Sequence, residues 1–275
     1  MNRWFFIFNF AKLPQIVMRN RSLLWQLIKR NIAVRYRGSM LGLVWSFVQP
    51  LMMLCVYTFV FSIVLKARWG VDTGDSKGAF AVIMFCGMAV FNIFSEGINS
   101  CSTVVIWNPN LVKKVIFPLE ILPLAQTIST FILGAVWFIL LFLGVVFIYG
   151  KISFTMLLFP VVVLPLFLFT LGISYFVASL GVYLRDTAYV VQVVLQVLFF
   201  MTPIFYPIQA IPEELRWPLQ INPLTILIEE SRHVCIYGAL PNWNFLGFAF
   251  LVSLIVLQLG FAWFNKTKKG FADVL

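Results

Sequence analysis

The chain has 275 residues, of which 61% are hydrophobic and only 11% are charged, and its formal net charge is +10. So much apolar surface cannot be hidden in one water-soluble core, so the composition excludes an ordinary soluble domain and predicts a protein whose solvent is lipid. The apolar residues form continuous runs without period-two alternation, which favours helical spans over a β-barrel. We therefore expect an all-α integral membrane protein.

The N-terminal segment, residues 1–41, is strongly basic. It contains eight Lys and Arg and no Asp or Glu, which places it on the cytoplasmic side by the positive-inside rule. Because this charge lies beside an apolar run, we expect contact with membrane lipid and not with nucleic acid. An amphipathic interface helix is predicted here, with a plain juxtamembrane basic segment as the alternative. Its snorkelling cations would be Lys29, Arg30, Arg35 and Arg37.

Long apolar runs predict six transmembrane helices, at 42–65, 79–100, 120–149, 153–184, 187–205 and 242–264. A bilayer core of about 30 Å needs about 20 helical residues. The fourth run is too short for two spans, so it predicts one kinked helix. Polar residues inside spans face protein or water. We therefore expect Gln49 to avoid lipid, and Glu96 to have a partner or to lie near the interface.

The distribution of Lys and Arg among the loops predicts the topology. The segments assigned to the inside carry nearly all of the excess positive charge, so both termini are expected in the cytoplasm. At the inner turn of Arg185 and Asp186, we expect Asp186 to cap the next helix and to form a salt bridge with Arg185. The proline-rich segment 206–241 predicts short re-entrant or surface-lying helices on the outer side.

A short cytoplasmic helix is predicted at 108–118, between the second and third runs. Asn108 can cap it through its side-chain oxygen, Pro109 suits its first turn, and Pro118 prevents its continuation. One face of this helix is apolar and can lie on the membrane. The opposite face would present Lys113, Lys114 and Phe117 to the aqueous phase.

Enzyme and metal signatures are weak. The nearest approach to a phosphate loop, Gly144 to Gly150 followed by Lys151, has the wrong spacing and lacks the Ser or Thr for magnesium, so we expect no nucleotide or metal to be bound by this chain. A single histidine argues against a multi-histidine metal site. An active site in the outer segment is an alternative, although capped helix ends and ion pairs explain the same residues. That cluster comprises Glu229, Glu230, Arg232, His233 and Cys235.

Aromatic residues make up 17% of the chain. Most are expected to face lipid or to lie in interfacial belts. Sugar rings have apolar C–H faces, so a path walled by aromatic side chains could instead hold a sliding polysaccharide. Composition leaves both interpretations open. The candidate channel residues are Trp45, Tyr57, Phe199, Phe200, Phe205 and Tyr206.

Five stretches resemble one family, in order along nearly the whole chain. They are LIKRNIAVRYRGSMLGLVWSFVQPL at 27–51, NPNLVKKVIFPLEILPLA at 108–125, GVYLRD at 181–186, MTPIFYP at 201–207 and INPLT at 221–225. Together they resemble the membrane subunit of ABC-2 type polysaccharide exporters, most of all the Wzm-type permeases of O-antigen export. Capsule and teichoic-acid permeases are similar relatives.

This resemblance implies a homodimer in the bacterial inner membrane, with each subunit docked on a separate cytoplasmic ATPase that binds ATP and Mg²⁺. The chain would be non-catalytic and would pass a lipid-linked polysaccharide outward. A small amphiphile as the cargo, or an integral-membrane enzyme acting on lipid-linked sugars, are the alternatives. The residues implied in coupling to the ATPase are Asn108, Lys113, Lys114, Phe117, Pro118 and Glu120. Segment 206–241 would gate the outer mouth of the channel.

Overall fold

The computed structural model describes residues 12–35, 37–64, 77–113 and 117–275. The regular secondary structure in this part of the chain is all helical, with no strand, which confirms the all-α prediction. In chain order the helices are α1 Lys12–Arg19, α2 Arg21–Arg35, α3 Trp45–Tyr57, α4 Lys77–Cys101, α5 Pro109–Val112, α6 Ile121–Tyr149, α7 Phe159–Tyr183, α8 Thr187–Met201, α9 Arg216–Ile221, α10 Pro223–Arg232, α11 Trp243–Thr267 and α12 Phe271–Val274.

Five stretches are long and apolar enough to cross a membrane: Gly42–Phe61, Gly78–Cys101, Ile121–Tyr149, Phe154–Tyr183 and Trp243–Val274. They coincide with five of the six predicted spans, and the fourth is a single helical stretch although it contains Pro165. The remaining predicted span, 187–205, corresponds to α8, which has 15 residues. At 1.5 Å per residue α8 is about 22 Å long, less than a bilayer core of about 30 Å.

Helix α4 forms the centre of the bundle. In an 18-residue apolar stretch of α4, 78% of the residues are buried, against 6% in the corresponding stretch of the first span. It packs against α6, α7, α8 and α10. In contrast, α3 has only two buried residues, Ser46 and Pro50, and α8 also has two, Thr187 and Leu195. Helices α3 and α8 therefore lie at the periphery of the chain.

Helices α7 and α11 pack along most of their length, and two glycines permit the close contact. A Cβ atom on Gly172 would lie 2.5 Å from the backbone nitrogen of Leu257, and one on Gly260 would overlap the carbonyl oxygen of Gly172. Small residues that let backbones approach are the usual device for packing helices in lipid, where apolar burial supplies little driving force.

The segment 206–241 contains both exposed and buried helices. Helix α9 has no buried residue, whereas eight of the ten residues of α10 are buried. Helix α10 inserts between α4, α7 and α11. Helix α10 is therefore buried within the bundle, and α9 lies on its surface.

The predicted cap at the turn before α8 is wrong. Asp186 is exposed and makes no side-chain cap, and Arg185 is exposed with no ion pair to it among the described residues. The backbone explains this, because Asp186 has helical dihedrals (φ −79°, ψ −3°) and a capping residue normally has extended ones. Asn222 and Asn242 do cap, accepting from the amides of Leu224 and Asn244.

The glycine contact gives a prediction about stability. Replacing Gly260 with Ala should force α7 and α11 apart and destabilise the protein by about 1–3 kcal/mol, as overpacking does. Gly247→Ala, in the same helix but with open space around its Cβ position, should be neutral or stabilising. Thermal aggregation of the two purified variants in detergent measures the difference. Equal aggregation temperatures for the two variants would contradict this account of the helix pair.

Candidate functional site

A cavity of about 470 Å³ lies between α3, α4, α6 and α8. Its lining contains no charged residue, yet it concentrates amide and hydroxyl groups that are costly to bury in lipid without partners. Such groups in an apolar bundle indicate a path that holds water or a polar ligand. The polar lining residues are Gln49, Asn92, Ser95, Asn99, Gln192 and Gln196.

Helical spacing brings these polar side chains together. Asn92, Ser95 and Asn99 are three and four residues apart in α4, so they share one face, and Gln192 and Gln196 are one turn apart in α8. Sequence reasoning singled out only Gln49. The signal for the others was a set of polar residues at helical period inside long apolar runs.

An aromatic cluster contributes to the lining of this cavity. Phe205 stacks on Phe61 with ring centroids 4.5 Å apart, and it lies 5.3 Å from Tyr57 and 5.1 Å from Phe199. Four of the six predicted channel aromatics therefore meet: Tyr57, Phe199, Phe200 and Phe205. Phe61 and Phe91, which contacts Phe199, were missed because they lie in ordinary apolar runs.

The other two predicted channel residues lie outside that cluster. Trp45 begins α3, twelve residues or about 18 Å from Tyr57 along the helix, and it is exposed. Tyr206 is half-buried, and its hydroxyl donates a hydrogen bond of 2.8 Å to the carbonyl of Phe200. That bond fixes the turn after α8.

A fully buried arginine holds the segment that follows α8. The side chain of Arg232 has 0% exposure. Its guanidinium donates to the carbonyls of Ile83 (3.3 Å) and Ile204 (3.2 Å) and pairs with Glu229 (2.7 Å). Non-helical backbone is tolerated inside such a bundle only where its carbonyls find donors. Arg232 supplies a donor to the carbonyl of Ile204. It therefore ties α4 and α10 to the segment that carries Phe205.

The other members of the outer cluster are also engaged in structural contacts. A carboxylate oxygen of Glu230 accepts from the backbone amide of Asn242 at 2.8 Å and lies 3.4 Å from Nδ1 of His233. The hydrogen bond between His233 and the Glu230 carboxylate raises the pKa of His233. Cys235 is buried. The cluster thus joins α10 to the start of α11, and both carboxylates already have partners.

The predicted cytoplasmic helix is shorter than expected. Helix α5, Pro109–Val112, is one turn, and Lys114 lies outside the described residues. The capping prediction for Asn108 is wrong, because its side-chain oxygen accepts from Arg30 at 3.0 Å while its Nδ2 donates to the carbonyl of Val104 at 2.8 Å. The side chain therefore ties α5 to α2.

The amphipathic character of this segment is present in the structure, with one correction. Val112 is buried and Lys113 is exposed, but Phe117 is half-buried and packs on an apolar cluster, so it does not share the exposed face of Lys113. Trp107 is 78% exposed and is the accessible aromatic residue beside α5. Sequence reasoning missed it.

Two residues that close the segment are less accessible. Pro118 is half-buried and Glu120 is buried. Glu120 forms an ion pair with Lys268, and its carbonyl accepts from the hydroxyl of Tyr175 at 3.0 Å. This corner is therefore joined to the end of α11 and to α7.

The basic residues of α2 mostly contact protein. Lys29 lies over the ring of Trp25 (5.4 Å to the centroid). Arg37, which follows α2, is exposed. Arg35 forms an ion pair of 2.8 Å with Glu96, so Glu96 has the partner that its position required. Arg30 and Arg35 differ from the expected lipid-facing cations because each binds a group of a neighbouring segment.

The described residues form an all-α bundle with five helices long enough to cross a membrane, and three of them line a polar, partly aromatic cavity together with α8. These are the features of an integral membrane protein. The ABC-2 type transporter family matches residues 22–236. The chain belongs to this family.

Several relatives match almost end to end. The chain is 29% identical over 268 residues to "O-antigen export system permease protein RfbA" of Myxococcus xanthus, covering 95% of this chain and 98% of the relative. A protein of the same description from Klebsiella pneumoniae is 27% identical over 257 residues, covering 92% and 95%. "Polysialic acid transport protein KpsM" of Escherichia coli is 24% identical over 248 residues, covering 89% and 93%.

The buried arginine gives a second prediction. Arg232→Ala leaves Glu229 and two carbonyls without their donor, so we expect a loss of about 3–5 kcal/mol in stability. Arg185→Ala, which removes an exposed arginine, should change stability by less than about 0.5 kcal/mol. Thermal unfolding of both variants in the same detergent tests this. An Arg232→Ala variant as stable as the parent would show that the guanidinium does not hold the fold.

Proposed function

We propose that the chain is the non-catalytic membrane-spanning subunit of an ATP-driven exporter that carries a lipid-linked polysaccharide, of the O-antigen type, outward across the bacterial inner membrane. The cavity lined by amides and aromatic rings supports this most directly. It occurs in an ABC-2 transporter chain whose relatives include O-antigen export permeases.

The chemistry of the cavity suits a sugar chain. Amide side chains exchange hydrogen bonds with sugar hydroxyls, and aromatic rings cover the apolar C–H faces. Because the lining carries no charge, no single strong contact would hold a sugar unit in place. Repeating units can then exchange one set of contacts for the next.

Six spans remain our proposal for the topology. Helix α8 would cross most of the bilayer, and the buried residues Thr202 to Phe205 would complete the span within protein. The basic N-terminal segment would lie in the cytoplasm. Helix α5 would then face the cytoplasm as well, and α9 and α10 would lie toward the outer side.

Two peripheral helices support a homodimer. Helices α3 and α8 bury little within one chain, and both line the cavity. A second copy packed on them would enclose the path. Each subunit would dock one cytoplasmic ATPase, which binds ATP and Mg²⁺, through Trp107, Lys113 and Lys114, with Phe117, Pro118 and Glu120 setting the position of α5.

Capsule polysaccharide is the second candidate cargo, favoured by the similarity to the polysialic acid transport protein. Deleting the gene separates the candidates. The glycan that accumulates inside the cells, identified by its sugar composition and its lipid carrier, is the substrate. Accumulation of no glycan would contradict both.

The coupling role of α5 gives a third prediction. Lys113→Glu reverses an exposed charge at the docking surface, and like-charge contacts there should weaken ATPase binding at least about tenfold and reduce export. Co-purification of the ATPase and glycan display on cells measure both effects. Lys151→Glu, an exposed lysine after α6, is the matched control. Retained ATPase binding in Lys113→Glu would remove α5 from the docking surface.

The cavity gives a fourth prediction. Gln196→Leu replaces an amide of the lining with an apolar group of similar size, so a sugar hydroxyl would lose its partner and export should fall several-fold. The ATPase should still co-purify. Gln15→Leu, in exposed α1, serves as the control. Export at the parental rate in Gln196→Leu would show that the cavity is not the path.

A further inference from the structure

Three cavities follow one another from α2 to α8. The first, about 400 Å³, lies beside α2 and Trp107; the second has only about 60 Å³; the third is the 470 Å³ cavity described above. The second shares Arg35, Thr130 and Leu133 with the first, and it shares Gln49, Asn92 and Trp137 with the third. The small cavity is therefore a neck between two larger ones.

The neck is too small for a ligand. Ligand pockets have volumes of about 300–1,000 Å³, a range that includes the first and third cavities but not the second. Anything that moves from the first cavity to the third must therefore widen the neck. The structure shows the neck in a closed form.

An ion pair crosses this neck. Arg35, at the end of α2, contacts Glu96 of α4 at 2.8 Å, and both residues line the small cavity. Their side chains are 30% and 39% exposed. Partly exposed ion pairs are weak enough to break and reform, as a reversible closure requires. The other residues that line the small cavity are uncharged, so the pair is a charged contact between α2 and α4 at the neck.

The same helix also contacts the segment before α5. Arg30 donates to the side-chain oxygen of Asn108 at 3.0 Å, and it lies five residues, about 7.5 Å, before Arg35 along α2. Leu24, Leu27 and Ile28 of α2 are buried, and α2 packs on α6. A displacement of Asn108 would thus reach Arg35 through a packed helix.

We propose that the Arg35–Glu96 ion pair is a gate between the two larger cavities, and that α2 transmits the movement of α5 to this gate through Arg30. The closure rests on the cavities and the ion pair alone. The transmission rests on the proposed function, because it assumes that α5 meets the ATPase.

Thiol labelling tests the closure without a glycan or an ATPase. Cys55 is the exposed native cysteine, and Cys86, Cys101 and Cys235 are buried. Cys55→Ser therefore gives a parent with little background labelling by maleimide. Ser95→Cys then places a thiol in the third cavity. A membrane-impermeant maleimide is added to inverted vesicles containing the full chain, on the side that α5 faces.

Glu96→Gln should increase the labelling rate of the cysteine at position 95 at least about threefold, because the neck loses its ion pair. Exchanging the charges, Arg35→Glu with Glu96→Arg, should return the rate to that of the parent. Arg19→Gln, at the exposed end of α1, should leave it unchanged. Equal rates in the parent and Glu96→Gln, or rapid labelling in the charge exchange, would overturn the gate.

The transmission is tested with the ATPase present. A nucleotide that changes the labelling rate in the parent should have no effect in Arg30→Gln, while labelling without nucleotide stays at the parental rate. A nucleotide response that persists in Arg30→Gln would overturn the role of α2. If Glu96→Gln opens the neck but Lys113→Glu retains ATPase binding, the gate stands and the proposed docking surface fails.

Discussion

The buried guanidinium of Arg232 is the interaction on which the arrangement of the site depends. A chain that leaves helical geometry within an apolar bundle exposes carbonyl groups that no water can satisfy. Arg232 donates to one such carbonyl, that of Ile204 in the segment after α8, and also to the carbonyl of Ile83 in α4, while Glu229 balances its charge. Gly87 leaves the space that it needs, since a Cβ there would lie 2.9 Å from the guanidinium. The position of Phe205 follows from these contacts.

The fold divides into a tightly packed part and a loosely attached part. Helices α4, α7 and α11 are joined by buried side chains and by the glycine contact at Gly172 and Gly260. Helices α3 and α8 carry one wall of the polar cavity but bury few residues. Movement of α3 and α8 relative to the packed part would change the width of the cavity without breaking the core.

Much of the fold could be predicted from the sequence, because apolar runs of membrane length have few alternatives in lipid. Local chemistry was harder. The capping predictions for Asn108 and Asp186 were wrong because the first side chain is taken by an arginine 78 residues away and the second residue has helical dihedrals. The role of Arg35 was hidden for the same reason, since its partner Glu96 is distant in sequence. The polar residues of α4, in contrast, could have been found from their helical spacing, although sequence reasoning did not single them out.

The short α8 has a consequence for the lipid around it. Its 15 residues form a helix about 8 Å shorter than a bilayer core of about 30 Å, and in the proposed six-span arrangement the difference would be made up by backbone that depends on protein partners. In that arrangement, acyl chains that reach α8 would meet a hydrophobic mismatch that those beside α7 and α11 would not. Thickening the bilayer would strain this flank first, so the open side of the cavity should respond to acyl-chain length while the packed core does not.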